Sequence, residues 1–127
     1  MEPGGTVDIV VVESERHTTV LLSGELERAS CPLVRSRLRP LTGRPLVLDV
    51  SGVTFFDAEG MRTMCRCARA CEAEGAALAL VGMRPYAAKV FRILGLDRDV
   101  PLCASMDEAL WCVLPRTDEE IREWLSG

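Results

Sequence analysis

Residues 46–61 read LVLDVSGVTFFDAEGM, and this segment is the most informative one about the fold. Residues 46–50 are almost continuously apolar, which predicts a strand that is covered on both faces of a sheet. We interpret residues 51–57 as a loop and expect a long helix over residues 58–74. This succession is typical of a parallel α/β sheet, in which binding sites gather at the carboxyl ends of the strands.

The rest of the chain extends this pattern. Two β-branched runs, 6–12 and 17–23, predict an antiparallel hairpin, and residues 24–27 are expected to leave the sheet. Helices and short strands then alternate. We therefore predict one α/β domain over residues 6–114, with a mostly parallel four- to five-stranded sheet, an N-terminal hairpin strand and surrounding helices. Residues 115–127 are expected to form a C-terminal helical extension. A capping box of Thr117 and Glu120 predicts its start, and Ile121, Trp124 and Leu125 give it a short apolar stripe.

Bulk composition narrows the classes of partner. The chain has 127 residues, with 19 acidic and 15 basic side chains and a net charge of −4, so no general attraction to nucleic acid or anionic lipid is expected. No apolar run approaches the roughly 20 residues that span a bilayer. The N-terminus lacks the basic and apolar regions of a secretory signal, so we expect a cytoplasmic protein that does not bind membranes.

The start of the helix after residue 57 is the most informative position. A helix N-terminus offers free backbone N–H groups and a partial positive charge. Asp57 is well placed to cap this helix, and Glu59 lies in its first turn. This helix start is therefore a candidate binding site. The alternative is that Asp57 and Glu59 only stabilise the helix.

At this point the sequence resembles a known family. The segments GELE (24–27) and LDVSGVTFFD (48–57), followed by Gly60, are similar to the STAS domain of anti-sigma factor antagonists. The resemblance extends from about Asp8 to Val113. It implies a four- or five-stranded sheet surrounded by helices. It also implies binding to an anti-sigma factor that is a serine kinase of the histidine-kinase-like ATPase type, with no enzymatic activity and no cofactor in the chain itself.

The resemblance also implies a switch that this chain lacks. In the family the loop before the helix reads Asp-Ser-Ser-Gly, the kinase phosphorylates the first Ser, the phosphate breaks docking, and a phosphatase restores it. Here the segment reads Asp57-Ala58-Glu59-Gly60, so no phosphoryl group can attach at Ala58. The nearby hydroxyls that could replace it are Ser51, Thr54 and Thr63.

Three consequences of the missing hydroxyl stay open. The favoured one is that Ala58 leaves the protein permanently competent to dock, because it cannot acquire the charge of a phosphate. Alternatively, Glu59 supplies a fixed negative charge, although a carboxylate is a poor phosphate mimic. The third is a different partner altogether. The predicted partner-binding residues are Asp57, Ala58, Glu59, Gly60, Arg62, Gly24 and Glu25.

Two other functions remain as alternatives. One is a sensory or scaffolding STAS module that assembles with other STAS proteins without an anti-sigma factor. The other is a small nucleotide-binding protein or enzyme, which we disfavour because the chain has no phosphate-binding glycine loop and no Ser/His/Asp set. A weak homodimer is also left open.

Several other side chains are of types that can form sites. Cys65, Cys67 and Cys71 lie on the predicted long helix without the spacing of zinc ligands, so we expect packing and no metal. Arg62, Arg66 and Arg69 form a basic stripe, which is either a solvated face or a contact for an acidic partner.

Two apolar residue types give further expectations. We place Met64 in the core and leave Met61 undecided between core and contact surface. Trp124, in the C-terminal extension, is expected to pack against the domain, whereas an exposed Trp124 would indicate a second docking surface.

Overall fold

A five-stranded sheet whose strands lie side by side in chain order runs through the protein. The computed structural model describes residues 6–127, and residues 1–5, which carry the expectation about a secretory signal, lie outside the described residues. The strands are β1 (Val7–Glu13), β2 (Thr18–Leu26), β3 (Leu46–Phe56), β4 (Leu78–Val81) and β5 (Leu102–Cys103). Only β1 and β2 pair antiparallel, so the predicted mostly parallel sheet with an N-terminal hairpin strand is confirmed.

Helices cover both faces of this sheet. They are α1 (Cys31–Leu38), α2 (Ala58–Ala73), α3 (Pro85–Ile93), α4 (Met106–Val113) and α5 (Asp118–Ser126). Two short 3₁₀ segments, Arg39–Leu41 and Leu96–Arg98, follow α1 and α3. Within residues 6–127 no helix is both long and apolar enough to cross a bilayer.

The core has two parts of unequal size. The larger part lies between one face of the sheet and α1, α2 and α3, where Leu48, Met64 and Phe91 are fully or almost fully buried. The smaller part lies under α4, where Ala109 and Val113 pack on Val47 and its neighbours. Because α4 is the main cover of that second face, the outward side chains of β1, such as Val10, stay exposed.

Two sequence predictions about the edge of the sheet were wrong. Residues 51–56 are not a loop, because β3 continues to Phe56, and residues 24–26 do not leave the sheet. The two segments pair with each other, for example Glu25 with Phe55 and Leu26 with Phe56, across two irregularities in register. Ser and Gly in these segments suggest a turn, but the parallel partner strand satisfies their backbone groups.

The prediction that Trp124 packs against the domain was also wrong. Trp124 is 71% exposed and Leu125 is 70% exposed, and no residue of α5 is buried. The helix begins as expected, since Thr117 and Glu120 form a complete capping box. Capping residues therefore predicted where α5 starts, whereas its apolar stripe did not predict burial.

Candidate functional site

Asp57 fixes the junction between β3 and α2. Its Oδ1 accepts a hydrogen bond from the N–H of Gly60 at 2.7 Å, and its Oδ2 accepts one from the N–H of Arg28 at 2.9 Å. Partial desolvation opposes ionisation of this carboxyl, but the backbone donors Gly60, Arg28 and Glu59 outweigh it and lower the pKa below its usual value. The predicted cap is confirmed, and the same side chain also ties α2 to the segment after β2.

Two glycines allow the backbones around Asp57 to approach closely. A Cβ on Gly60 would overlap the carbonyl group of Leu26, so only glycine lets the first turn of α2 lie on the end of β2. Gly24 has a φ of +98°, and a Cβ there would overlap the carbonyl oxygen of Thr6. Gly60 is buried, which means that it shapes the surface without offering it a side chain.

Ala58 and Glu59 occupy the first turn of α2 and reach solvent differently. Ala58 is exposed, so its methyl group lies open at the helix N-terminus. The Glu59 carboxylate contacts the guanidinium groups of Arg66 at 2.9 Å and Arg62 at 3.7 Å. The hydrogen bond from Arg66, with the nearby charge of Arg62, lowers the pKa of Glu59. Glu59 is thus paired within its own helix.

The basic stripe on α2 is exposed but largely compensated. Arg62 and Arg66 share Glu59, and Arg69 contacts Asp99 at 3.3 Å. Exposed pairs of this kind contribute little to stability. The stripe therefore offers a partner a mixed pattern of charge with a surplus of one cation.

Gly24 and Glu25, predicted as neighbours of the α2 N-terminus, lie on the last part of β2 beside β3. The Thr54 hydroxyl on β3 donates to the Gly24 carbonyl oxygen at 3.2 Å. Glu25 is half-buried. The structure thus brings both residues to the same edge as Asp57.

The three hydroxyls that could replace the missing serine differ in access. Ser51 and Thr54 are exposed on β3, and the Ser51 hydroxyl donates to Asp49 at 2.7 Å. Thr63 is fully buried on α2, where its oxygen accepts a hydrogen bond from Arg35 at 3.4 Å. Only Ser51 and Thr54 are open to an enzyme without local unfolding.

An apolar groove, lined in part by Phe56 and Met61 on either side of the β3–α2 junction, is a feature that the sequence does not predict. It has a volume of about 570 Å³ and lies between the carboxyl end of β3, α2 and α3. Phe55 is 51% exposed and Tyr86 is 76% exposed along it, and Arg84 lies at its edge. No local sequence signal indicates the groove, because Phe55 on β3 and Tyr86 on α3 come together only in the folded chain.

The methionines and cysteines of α2 belong to the core. Met61 and Met64 are both buried, so the undecided Met61 is a core residue that also lines the groove. Burial raises the pKa of Cys67 to about 11 and that of Cys71 to about 12. Within the described part of the chain, no three His, Cys, Asp or Glu side chains are grouped to hold a metal ion.

Comparison with known families gives one match. A family model described as "Mlab, STAS domain" matches residues 9–106, which is most of the chain. No curated protein sequence matches it.

Solved structures with a similar fold come from several organisms. An anti-sigma factor antagonist from Mycobacterium paratuberculosis has a TM-score of 0.75 and 23% identity, over 85% of this chain and 94% of that one. The phosphorylated form of the Bacillus cell fate determinant SpoIIAA has a TM-score of 0.63 and 20% identity, over 83% and 98%.

The same fold also occurs inside a larger protein. The murine Solute Carrier 26 family member A9 anion transporter has a TM-score of 0.67 and 21% identity, over 80% of this chain and 18% of that one. At these identities, the similarity establishes the fold.

Proposed function

The chain belongs to the STAS domain family, and on this premise we propose that it is an anti-sigma factor antagonist that binds a serine-kinase-type anti-sigma factor. The observation that carries the proposal is the exposed N-terminus of α2, where Asp57 and Gly60 hold the backbone and Ala58 faces solvent. In this proposal, domain 6–114 binds the partner in the cytoplasm and catalyses no reaction. Residues 115–127 are an extension outside that domain.

The proposed binding surface combines the two strand ends with the first turns of α2. Asp57 keeps the loop geometry, Ala58 and Arg62 offer exposed contacts, and Gly24 and Glu25 extend the surface along β2. The groove at Phe55 and Tyr86 adjoins it and gives the partner an apolar anchor point. Buried aromatic or aliphatic anchors supply most of the free energy at such interfaces.

Docking is proposed to be permanent because Ala58 cannot be phosphorylated. A phosphate would add about 1.5 to 2 negative charges at the interface. Glu59 does not replace that charge, since Arg62 and Arg66 already contact its carboxylate. Among the three consequences of the missing hydroxyl, this pairing favours the docking-competent form over a mimic of the phosphorylated form.

The experiment that tests this proposal restores the hydroxyl. A panel of serine-kinase anti-sigma factors is immobilised, and binding is measured with and without ATP for the wild type, Ala58→Ser and Ala70→Ser. We expect the wild type and Ala70→Ser to stay bound when ATP is added, because Ala70 is exposed farther along the same helix and serves as the matched control. Ala58→Ser should gain one phosphate by intact mass and dissociate.

Two results would contradict the proposal. If the wild type binds no kinase of the panel, the proposal that its partner is a serine-kinase anti-sigma factor is contradicted. A phosphate on the wild type at Ser51, Thr54 or Thr63 would show that the switch has moved and is not lost.

A second candidate function is a sensory or scaffolding STAS module that has no anti-sigma partner. The observation that favours this second candidate is that the same fold occurs as a small part of an anion transporter, and so within a protein of another kind. Sedimentation with and without the kinases separates the two functions, because a scaffolding module changes its mass only with other STAS proteins.

A further inference from the structure

Helix α5 has an apolar side that stays exposed among residues 6–127. Ile121, Trp124 and Leu125 lie three and four residues apart and therefore share one side of the helix. Their exposed fractions are 42%, 71% and 70%, and the half-exposed Trp111 of α4 borders them. Isolated helices shorter than about 12–15 residues are marginal in water, so a nine-residue helix with this side exposed gains stability from a second surface.

The rest of α5 is acidic. The helix contains one basic residue, Arg122, and four acidic ones: Asp118, Glu119, Glu120 and Glu123. Among residues 6–127, none of these carboxylates takes part in an ion pair. A surface that complements α5 is therefore apolar at its centre and basic at its rim.

The side of α3 that borders the groove has this composition. Tyr86 and Ile93 are 76% and 72% exposed, and Lys89 lies between them along the helix. Arg84, which lines the groove, is exposed as well, and no carboxylate occurs between residues 84 and 96. Arg84 and Lys89 form no ion pair within the described residues. The adjoining groove, lined by Phe55 and Val90, can accept large apolar side chains.

The two surfaces lie at opposite ends of the sheet. Arg16, in the turn between β1 and β2, donates to the Pro115 carbonyl oxygen, which places the start of α5 near Thr18 and the first residues of β3. The groove lies at the other end of β3, about 33 Å away for ten residue steps. A nine-residue helix covers only about 13 Å, so α5 cannot reach the groove of its own chain.

We propose that the acidic, apolar helix α5 of one copy docks on the basic, apolar α3 surface and groove of a second copy. A pair of copies joined by one such contact keeps one free α5, on one copy, and one free α3 surface, on the other. The contact is therefore head-to-tail and repeats into rings or open chains. This inference does not depend on an anti-sigma factor.

The test measures mass against concentration for the full-length chain by sedimentation. The average mass of the wild type in solution should increase with concentration to more than twice the chain mass of 13.9 kDa. Added salt should reduce this increase, because it screens the attraction between the acidic and basic surfaces. Trp124→Glu and Tyr86→Glu should each remain monomeric, since each removes one of the two complementary surfaces. Both side chains are largely exposed, so circular dichroism should show an unchanged fold.

Mixing the two variants gives the decisive result. Trp124→Glu keeps an intact α3 surface and Tyr86→Glu keeps an intact α5, so an equimolar mixture should form a heterodimer and stop there. Leu33→Glu, which changes a half-exposed leucine on α1, is the matched control and should assemble like the wild type.

Three outcomes would overturn the inference. One is a wild type that stays monomeric at all concentrations. Another is a mixture of the two variants that stays monomeric. The third is a dimer that Val10→Glu alone abolishes, because that result would place the contact at the open edge of β1.

Discussion

Helices α2 and α5 both begin at a side-chain cap, but α2 is packed in the core and α5 is exposed. Asp57 accepts a hydrogen bond from the N–H of Gly60 in α2, and Thr117 accepts one from the N–H of Glu120 in α5. Yet eight residues of α2 are buried and none of α5 is. The comparison teaches that a cap sets where a helix starts, whereas burial decides whether the helix belongs to the cooperative fold.

The largest expected effect on stability comes from adding a side-chain carbon where α2 lies against the end of β2. Gly60→Ala places a Cβ against the backbone of Leu26, and we expect the free energy of unfolding to fall by about 2–3 kcal/mol. Chemical denaturation measures this loss. Gly43→Ala is the matched control, because its Cβ would meet only the Glu74 side chain at 3.7 Å, and its effect should be small. Equal effects of the two variants would contradict the close approach.

Removing the α2 cap should have the next largest effect. Asp57→Ala leaves the N–H groups of Gly60 and Arg28 without their acceptor, and we expect a loss of about 1–2 kcal/mol in the free energy of unfolding. Urea denaturation at neutral pH gives the value. A loss below the error of the measurement would show that the junction is held without the carboxylate.

The same cap should depend on pH in a defined direction. The pKa of Asp57 is lowered in the folded protein, so its stabilisation is fully present above the unfolded pKa of about 3.9 and is lost as pH falls through the lower folded value. The stability difference between the wild type and Asp57→Ala should therefore be constant from neutral pH down to about pH 4 and narrow below it. Denaturation series at several pH values test this, and narrowing already near neutral pH would contradict it.

The smallest effect on global stability is expected at the α5 cap. Thr117→Ala should fray α5 but change the free energy of unfolding by less than about 0.5 kcal/mol, because α5 buries no residue in the domain. Hydrogen exchange at concentrations that keep the chain monomeric should show faster exchange in α5 alone. A global loss as large as that of Asp57→Ala would mean that α5 is part of the cooperative fold.

The candidate site was predictable where it depends on local chemistry. Asp57 was recognised as a cap because Asp, the helix start and the first turn are neighbours in sequence. The strand before it was only half recognised, because residues 51–56 carry turn-forming side chains and their strand partner lies about 30 residues earlier. The groove at Phe55 and Tyr86 needs two segments that only the folded chain brings together.

The α/β class, the capped starts of α2 and α5, and the absence of a hydroxyl at position 58 follow from the amino-acid sequence. Each of these depends on a single residue or on neighbours along the chain. Three other features become visible only in the folded chain: β2 and β3 continue to Leu26 and Phe56, Glu59 is paired with two arginines, and α5 is exposed. Those features depend on which surfaces meet across the fold. An apolar stripe has the same sequence pattern whether it packs on its own core or on another molecule.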